Sequence, residues 1–275
     1  RQRQMCIRDC SCRSAICGSC AMRINGQAGL ACNTKILDVI PENDSPITVE
    51  PVGNLPLIKD LIVDFQPFWS KVEAVEPWLQ PEGEEPESEY IAPNEDMLHL
   101  AGVMACIMCG ACVSDCTVLE VDDRFLGPAA LAKAYRFVGD PRDDADDYRL
   151  GRLNEYGGVW DCTRCMQCVE VCPKGVARMD RIMELRDKAM EAGFRNTNGS
   201  RHAKAFSDSV RHSGWLDELR LPIKSFGIFN LKAMIALIPT GIRAQINGKR
   251  PPIFHKSIPG AENVRKIFDK VESKK

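Results

Sequence analysis

The sequence predicts an α+β protein with a small strand-rich segment, a helical region and a C-terminal extension. Asn25-Gly26, between the apolar segments CAMRI and GLACNTKI, is a strong hairpin signal and predicts strands within residues 20–52. Apolar residues at helical spacing alternate with cysteine-rich loops over residues 99–193, which predicts helices joined by those loops. The chain after residue 193 contains no cysteine and is predicted to be a separate extension.

Cysteine content is the outlier of the composition. The 275 residues include 14 cysteines, which fall within residues 6–32, 106–116 and 162–172. Cysteines grouped two residues apart are typical of metal ligands and not of a disulfide framework, so we expect a reducing compartment. Neither the hydrophobic content of 44% nor the net charge of −2 suggests a disordered, collagen-like or coiled-coil chain. No apolar run reaches 18 residues, so the sequence predicts no transmembrane helix.

The strand-rich domain is predicted to occupy residues 1–53, with PITVEPV as its last β segment. In NLPLIKDLIVDFQPFW the apolar residues from Leu57 to Phe65 recur at helical spacing, which predicts a helix that Pro67 interrupts. The acidic, proline-rich QPEGEEPESEY follows and is typical of a surface loop. Residues 54–98 are therefore predicted to form a linker helix and an acidic loop.

The helical domain is predicted to occupy residues 99–193. Pro128 suits the first turn of a helix that ends near Gly139, and a second short helix follows DPRDDADDY. An amphipathic helix is predicted from Lys174 to Ala192.

The C-terminal extension, residues 194–275, is predicted to dock a partner. Residues 193–275 carry 16 Lys and Arg against 6 Asp and Glu, whereas the preceding residues are acidic. A basic extension indicates an anionic partner or surface, and the alternative is a solvated tail without one. Its apolar segment SFGIFNLKAMIALIPTGI is too short and too interrupted to span a bilayer.

Four cysteines of the first group have the spacing C-x4-C-x2-C-x11-C, which is typical of a plant-type [2Fe–2S] cluster. We call Cys12, Cys17, Cys20 and Cys32 the first cysteine set. A zinc site is the alternative, although zinc ligands usually come as two separate C-x2-C pairs. Cys6 and Cys10 lie outside the pattern and are expected to be bystander thiols. Cys10 could replace Cys12 only if the spacing slipped.

The motif C-x2-C-x2-C-x3-C occurs twice and is the signature of [4Fe–4S] ferredoxins, in which the fourth cysteine binds the other cluster. This crossover defines two further sets, with two zinc sites as the alternative. The second cysteine set is Cys106, Cys109, Cys112 and Cys172, and the third is Cys116, Cys162, Cys165 and Cys168.

No catalytic residue is predicted in this chain. It has no G-x-G-x-x-G motif, no P-loop and no nucleophile motif, and no nucleic-acid partner is expected. Three clusters without an active site predict an electron-transfer subunit.

Four segments in order carry a family resemblance: CRSAICGSCAMRINGQAGLACNTKI, NLPLIKDLIVDFQPFW, CIMCGACVSDC and CTRCMQCVEVCPKGV. Over roughly residues 10–190 the sequence resembles the iron–sulfur subunits of succinate dehydrogenase and fumarate reductase. The resemblance implies a β-grasp [2Fe–2S] domain followed by an all-α domain with two cubane clusters. It implies a flavoprotein partner that interconverts succinate and fumarate on FAD, with electrons exchanged indirectly with a quinone.

The resemblance also implies a peripheral location on the inner membrane, on the cytoplasmic face, with an exported location as the alternative. Only eleven residues precede Cys12, where the family has a hairpin and a helix. We therefore expect the β-grasp domain to lack its N-terminal part.

Cys165 departs from many family members, in which that position is not cysteine and the third cluster is [3Fe–4S]. Its presence predicts a [4Fe–4S] cluster, and the alternative is an inert thiol beside [3Fe–4S]. The usual quinone-pocket residues are also replaced here by residues 117–120 and Thr163, so the usual quinone site is not expected. These differences resemble the branch of methylmenaquinol:fumarate reductases, whose anchor is a cysteine-rich subunit similar to part of heterodisulfide reductase. The basic extension would dock that subunit or the membrane surface.

Other redox complexes and one unrelated class remain as alternatives. Thiol:fumarate reductases and glycolate oxidases also contain two-cube subunits. A zinc-stabilised scaffold module is the alternative from a different class.

Overall fold

The computed structural model describes residues 10–42, 45–84, 86–227, 230–249, 252 and 256–273. The chain divides into two compact units, residues 1–192 and residues 193–275. The first unit contains a β-rich part and a helical part, and the second is helical.

The β-rich part is built on the predicted hairpin. The strands are β1 Ala21–Ile24, β2 Gln27–Leu30, β3 Val49–Glu50, β4 Leu57–Lys59 and β5 Ile62–Val63. In the three-stranded sheet, β1 lies between β2 and β3 and pairs antiparallel with both. Asn25 and Gly26 both have positive φ angles, +49° and +80°, as the tight turn requires. The hairpin prediction is confirmed.

The helix predicted from Leu57 to Phe65 is wrong, because β4 and β5 form an antiparallel two-stranded sheet there. Asp60 takes a left-handed φ of +52° between the two strands and so reverses the chain. The apolar spacing did not mark a buried helix face, since Leu57 and Ile58 are 61% and 66% exposed. Pro67 lies in the first turn of the following helix, where its missing N–H costs nothing.

Nine α-helices lie in the described part of the first unit, joined by 3-10 turns at Ala31–Asn33, Leu98–Leu100 and Val159–Asp161. The helices are α1 Ile36–Val39, α2 Gln66–Glu73, α3 Asn94–Met97, α4 Ala101–Met104, α5 Ala111–Ser114, α6 Gly127–Val138, α7 Asp146–Leu153, α8 Gln167–Glu170 and α9 Arg178–Glu191. Pro128 begins α6 and Gly139 follows its end, as predicted. Helix α9 begins at Arg178 and not at Lys174, because Gly175 and Ala177 have positive φ angles that exclude a helix before it.

The core of the helical part forms around α6 and α9. Leu131 and Val138 from α6 and Ile182 and Leu185 from α9 are at most 2% exposed. Asn54, which precedes the two-stranded sheet, donates its side-chain amide to carbonyls at the end of α5, including those of residues 113, 114 and 116. The β-rich part is thereby fixed against the segment that carries Cys112 and Cys116.

A buried arginine joins the segment after α2 to the helical part. Arg149 is 4% exposed and forms an ion pair with Asp143. Its guanidinium also donates to the backbone carbonyls of Val75, Glu76 and Trp78 at 2.7–3.0 Å. These bonds connect the backbone after α2 to helix α7, which carries Arg149.

The second unit contains α10 Asn198–Ser213, α11 Arg220–Phe226, α12 Leu231–Ile246 and α13 Ala261–Glu272. Thr197 and Ser200 form a capping box at the start of α10, and Arg211 near its end forms ion pairs with Asp269 and Glu272 of α13. Within the described residues, none of the helices has the length and apolar content needed to cross a membrane.

Candidate metal centres

Three backbone amides of the loop after Cys12, those of Ser14, Ile16 and Cys17, point at the sulfur of Cys12. The N–H groups of Ser14, Ile16 and Cys17 lie 3.3–3.4 Å from Cys12 Sγ. The loop can turn its amides inward because Arg13 and Ala15 both have left-handed φ angles, +55° and +54°. N–H groups aimed at sulfur stabilise a thiolate, which is the form that binds iron.

Cys20 and Cys32 form a second neighbouring pair. Cys20 is buried at the start of β1, and Cys32 lies in the 3-10 turn after β2, so the hairpin brings them together. The N–H of Cys32 lies 3.5 Å from Cys20 Sγ, and the N–H of Ala15 donates to Cys32 Sγ at 3.3 Å. The loop that follows Cys12 therefore contacts the hairpin at Cys32.

Cys17 lies at the exposed edge of this set. Its sulfur is 3.1 Å from the hydroxyl of Ser19. Hydrogen bonds from Ser19, followed by contacts with Cys12, lower the pKa of the Cys17 thiol to about 6. A thiol with this pKa is largely ionised at neutral pH and is prepared to ligate a metal.

Cys10 also lies beside this set. The sulfurs of Cys10, Cys20 and Cys32 are within 4.8 Å of one another, and Cys10 is half-buried against the core of the β-rich part. Cys6 falls outside the described residues.

The loops of the second and third sets have the same backbone pattern. Met108 and Gly110 flank Cys109 with φ angles of +54° and +82°. Arg164 and Met166 flank Cys165 with φ angles of +60° and +69°. A left-handed φ is unfavourable for a residue with a side chain. Met166 nevertheless adopts it at the position that Gly110 occupies in the other loop, so the backbone of the Cys165 loop is constrained to this conformation. The backbone thus presents Cys165 in its loop as it presents Cys109 in the other.

The fourth cysteine of each motif lies with the opposite loop. Arg178 donates to Cys172 Sγ at 2.7 Å and to Cys106 Sγ at 3.4 Å, which places these two sulfurs around one guanidinium. Burial raises the pKa of the Cys116 thiol, and the nearby Cys162 and Cys165 thiols raise it further. The chain therefore brings Cys172 to the first motif and Cys116 to the second.

All four sulfur-bearing residues of the third set line one cavity. Its volume is about 20 Å³, and it is partly open to solvent. The lining residues are Cys116, Cys162, Cys165 and Cys168 with Val118, Phe125, Pro128, Thr163, Met166, Met179 and Ile182. Cys165 Sγ accepts a hydrogen bond from Thr117 at 3.5 Å. The four thiols of the third set therefore face one cavity, and its other lining residues are mostly apolar.

The electrostatics of the buried thiols also fit metal binding. Burial raises the pKa of Cys168 to about 12, with neighbouring thiols adding to the effect, and burial likewise raises the pKa of Cys112. Ionising such a group alone is costly, because a buried charge needs a compensating one. Iron ions supply that compensation when the thiolates ligate them.

The first and second sets touch at Gly18. Gly18 has a φ of +73°, and a Cβ built on it would lie 2.8 Å from Cys109 Cβ and 3.0 Å from Cys109 Cα. The second and third sets adjoin through α5, which carries Cys112 and is followed by Cys116. Cys109 and Cys112 are buried, whereas Cys17 and Cys165 are exposed at the outer sets.

Sequence reasoning missed two buried arginines beside these sets, and neither motif spacing nor periodicity marks them. Arg178, at the start of α9, contacts the second set as described. Arg186 is 4% exposed and donates to the carbonyls of Val159 and Cys162 at 2.8 Å. These bonds fix the backbone at the start of the second C-x2-C-x2-C-x3-C motif.

Comparisons with known proteins give the same division of the first unit. A model of the 2Fe-2S iron-sulfur cluster binding domain matches residues 2–70, and a model of the 4Fe-4S dicluster domain matches residues 102–176.

Three curated relatives are iron–sulfur subunits. The 8-methylmenaquinol:fumarate reductase iron-sulfur subunit of Wolinella succinogenes is 34% identical over 94% of this chain and 82% of its own. The succinate dehydrogenase iron-sulfur subunit of Coxiella burnetii is 35% identical over 66% of this chain and 76% of its own. The fumarate reductase iron-sulfur subunit of Mycobacterium tuberculosis is 41% identical over 60% of this chain and 67% of its own.

A chain in the structure of the Mycobacterium smegmatis Sdh1 complex in the apo form is similar to this one. It aligns with a TM-score of 0.61 and 25% identity, over 67% of this chain and 77% of that chain.

Proposed function

The chain belongs to the family of iron–sulfur subunits of succinate dehydrogenase and fumarate reductase, and from this we propose the route by which it carries electrons. It is a non-catalytic electron-transfer subunit of an oxidoreductase complex, with a 2Fe-2S domain and a 4Fe-4S dicluster domain. The observation that carries the proposal is a series of three adjoining thiol sets, in which each outer set has one exposed cysteine and the middle set has none.

We assign one cluster to each cysteine set. The first set holds [2Fe–2S], and the second and third sets hold [4Fe–4S] clusters with crossed fourth ligands. Each cluster, when bound, accepts and releases one electron. The chain's own residues fix the spacing between the sets. Backbone N–H groups stabilise the thiolates of Cys12 and Cys32, and the buried Arg178 stabilises those of Cys106 and Cys172.

The third cluster is proposed to be [4Fe–4S], with Cys165 as its fourth protein ligand. Two features support this: Cys165 lines the same cavity as the other three cysteines, and its loop repeats the backbone of the Cys109 loop.

A substitution at Cys165 tests this ligand. In the anaerobically purified complex, Cys165→Ala should lower the iron content from about ten to about nine per chain and produce a stoichiometric [3Fe–4S] signal in the oxidised EPR spectrum. Met166→Ala, which changes the adjacent residue and keeps every thiol, should leave both unchanged. Unchanged iron and EPR in Cys165→Ala would refute the assignment.

The outer ends are proposed to face the partner subunits. The exposed edge at Cys17 receives electrons from the FAD-containing flavoprotein in succinate oxidation and delivers them in fumarate reduction. The exposed edge at Cys165 exchanges electrons with the membrane anchor and, indirectly, with a quinone. The complex would lie on the cytoplasmic face of the inner membrane.

We propose a cysteine-rich anchor for this complex, as in the branch that the Wolinella relative represents. The alignment with that relative leaves about 6% of this chain unmatched, so it includes most of the C-terminal extension. The two other relatives match 66% and 60% of this chain, which is too little to include the extension together with the cluster domains.

Helix α12 offers the contact surface. It has no buried residue, and its exposed apolar side chains recur at spacings of three and four, which places them on one face. This stripe consists of Leu231, Ile235, Ile238, Ile242 and Ile246, each at least 54% exposed.

Substitution of the stripe tests the anchor contact. Ile235→Ser combined with Ile242→Ser should release the complex from membranes on washing while the flavoprotein still copurifies with this chain. Thr240→Ala, on the opposite side of α12, is the matched control and should have no effect. Unchanged membrane attachment of the double variant would contradict the contact.

A further inference from the structure

Arg178 is a buried cation whose hydrogen-bond partners are sulfurs. Its residue is 3% exposed, and its guanidinium donates to Cys172 Sγ at 2.7 Å and to Cys106 Sγ at 3.4 Å. Its Nε has no partner within the described part of the chain. The other buried arginines differ, since Arg149 pairs with the Asp143 carboxylate and Arg186 donates to carbonyls.

An uncompensated buried guanidinium is strongly unfavourable, and arginine does not escape this cost by losing its proton. Neutral thiols supply no compensating charge. Four thiolates around an iron–sulfur cube do, because the complete group is an anion and gains one further negative charge on reduction. The position of Arg178 is thus explained by the anion that its neighbouring cysteines hold.

We propose that Arg178 is a positioning residue that raises the one-electron reduction potential of the cube held by the second cysteine set. The inference rests on the ligand sets of the proposed function. A fixed positive charge beside the cube stabilises the more negative, reduced state more than the oxidised one. One electron enters from a neighbouring cluster and later leaves to the next, and the guanidinium keeps its proton throughout.

Arg178 is expected to change the reduction potential of the middle cube more than that of the third cube. Both sulfur contacts of Arg178 are to the second set, which lies between the other two. The arginine beside the third set, Arg186, donates to the backbone carbonyls of residues 159, 160 and 162 and to the thioether sulfur of Met183 at 3.9 Å, and to no cysteine sulfur among the described residues. Arg178 therefore makes the middle cube easier to reduce without an equal change at the third.

The test is an EPR-monitored redox titration of the intact, anaerobically purified complex. Arg178→Gln removes the charge and keeps a hydrogen-bond donor, whereas Arg178→Lys keeps the charge. We expect Arg178→Gln to disfavour reduction of the middle cube at least tenfold, which is about 59 mV for a one-electron couple. Arg178→Lys should remain within tenfold of the unmodified protein, and the [2Fe–2S] midpoint should not move in either variant.

Arg181→Gln is the matched control, because Arg181 lies on the same helix, pairs with Glu184 and makes no bond to sulfur. Its removal should leave all midpoints in place. Full iron content with an unchanged middle-cube midpoint in Arg178→Gln would overturn the proposal, as would loss of the cube in both Arg178 variants, which would mean a purely structural role. Loss of the cube in Arg178→Gln alone, with full iron in Arg178→Lys, would support the requirement for charge.

These outcomes are separable from failure of the ligand assignment. If Cys172 belonged to the other cube, the shift in Arg178→Gln would appear at the other cube's midpoint. Cys172→Ser would then perturb the EPR signal of that cube as well.

Discussion

Replacing Gly18 by alanine places a methyl group between the first and second cysteine sets. The new Cβ would lie 2.8 Å from Cys109 Cβ and 3.0 Å from Cys109 Cα, well inside the usual carbon–carbon separation of about 3.5–4.0 Å. The φ of +73° adds a backbone cost of about 1–2 kcal/mol for any residue other than glycine. Overpacking of this kind typically costs about 1–3 kcal/mol, so the combined loss is roughly 2–5 kcal/mol.

Gly26→Ala separates the two contributions. Gly26 has a similar φ of +80°, but a Cβ there meets nothing within 4 Å, so this variant incurs only the backbone cost. We therefore expect Gly18→Ala to lose about 1–3 kcal/mol more than Gly26→Ala, or roughly 2–12 °C in unfolding temperature for a unit of this size. The measurement is the temperature at which the visible iron–sulfur absorbance bleaches under anaerobic heating at one scan rate.

Gly18→Ala and Gly26→Ala also test the distance between the clusters of the first and second cysteine sets. Widening the gap at Cys109 should weaken the magnetic interaction between the reduced [2Fe–2S] cluster and the adjacent cube, seen as slower EPR spin relaxation in Gly18→Ala and not in Gly26→Ala. Equal bleaching temperatures and equal relaxation in the two variants would refute the direct contact of the two loops.

Two further predictions concern the thiol of Cys10 and the half-buried carboxylate of Asp146. Cys10→Ser should keep the full iron content and the [2Fe–2S] EPR signal, while Cys12→Ser should change that signal; loss of about two irons in Cys10→Ser would instead make Cys10 a ligand. Burial raises the pKa of Asp146 to about 6, against the weaker opposing effect of Lys188, and one of its carboxylate oxygens has no hydrogen-bond partner among the described residues. Because the folded-state pKa lies above the unfolded one, the stability that Asp146 contributes is present at low pH and is lost as the pH rises through about 6. Asp146→Asn should therefore raise the bleaching temperature more at pH 7.5 than at pH 5.5, and an equal gain at both values would contradict this.

The cysteine sets and the first hairpin were predictable from the sequence, because both depend on residues that are close together in the chain. Cysteine spacing defines the three sets because a cluster needs several thiolates on one short loop, and Asn25-Gly26 defines the hairpin because few residues accept its φ angles. The crossed fourth ligands are predicted from the repeated motif, because in two-cluster ferredoxins the fourth cysteine binds the other cluster.

Tertiary contacts decide the features that the sequence did not reveal. The segment from Leu57 to Val63 has helical spacing, yet a left-handed residue at Asp60 makes it a hairpin with exposed apolar side chains. Arg178 has no signal of its own, because its role depends on Cys106, which lies far away in sequence. Cys10 lies outside the ligand spacing and still comes within 4.8 Å of two ligands through packing.

The central claim, three clusters with a complete cube at Cys165, is tested most directly by metal and sulfide analysis combined with EPR of the anaerobically purified complex. We predict about ten irons per chain, two cubane signals on reduction and no stoichiometric [3Fe–4S] signal on oxidation. About nine irons with a stoichiometric [3Fe–4S] signal would contradict the assignment of Cys165, and zinc in place of iron would contradict the electron-transfer account as a whole.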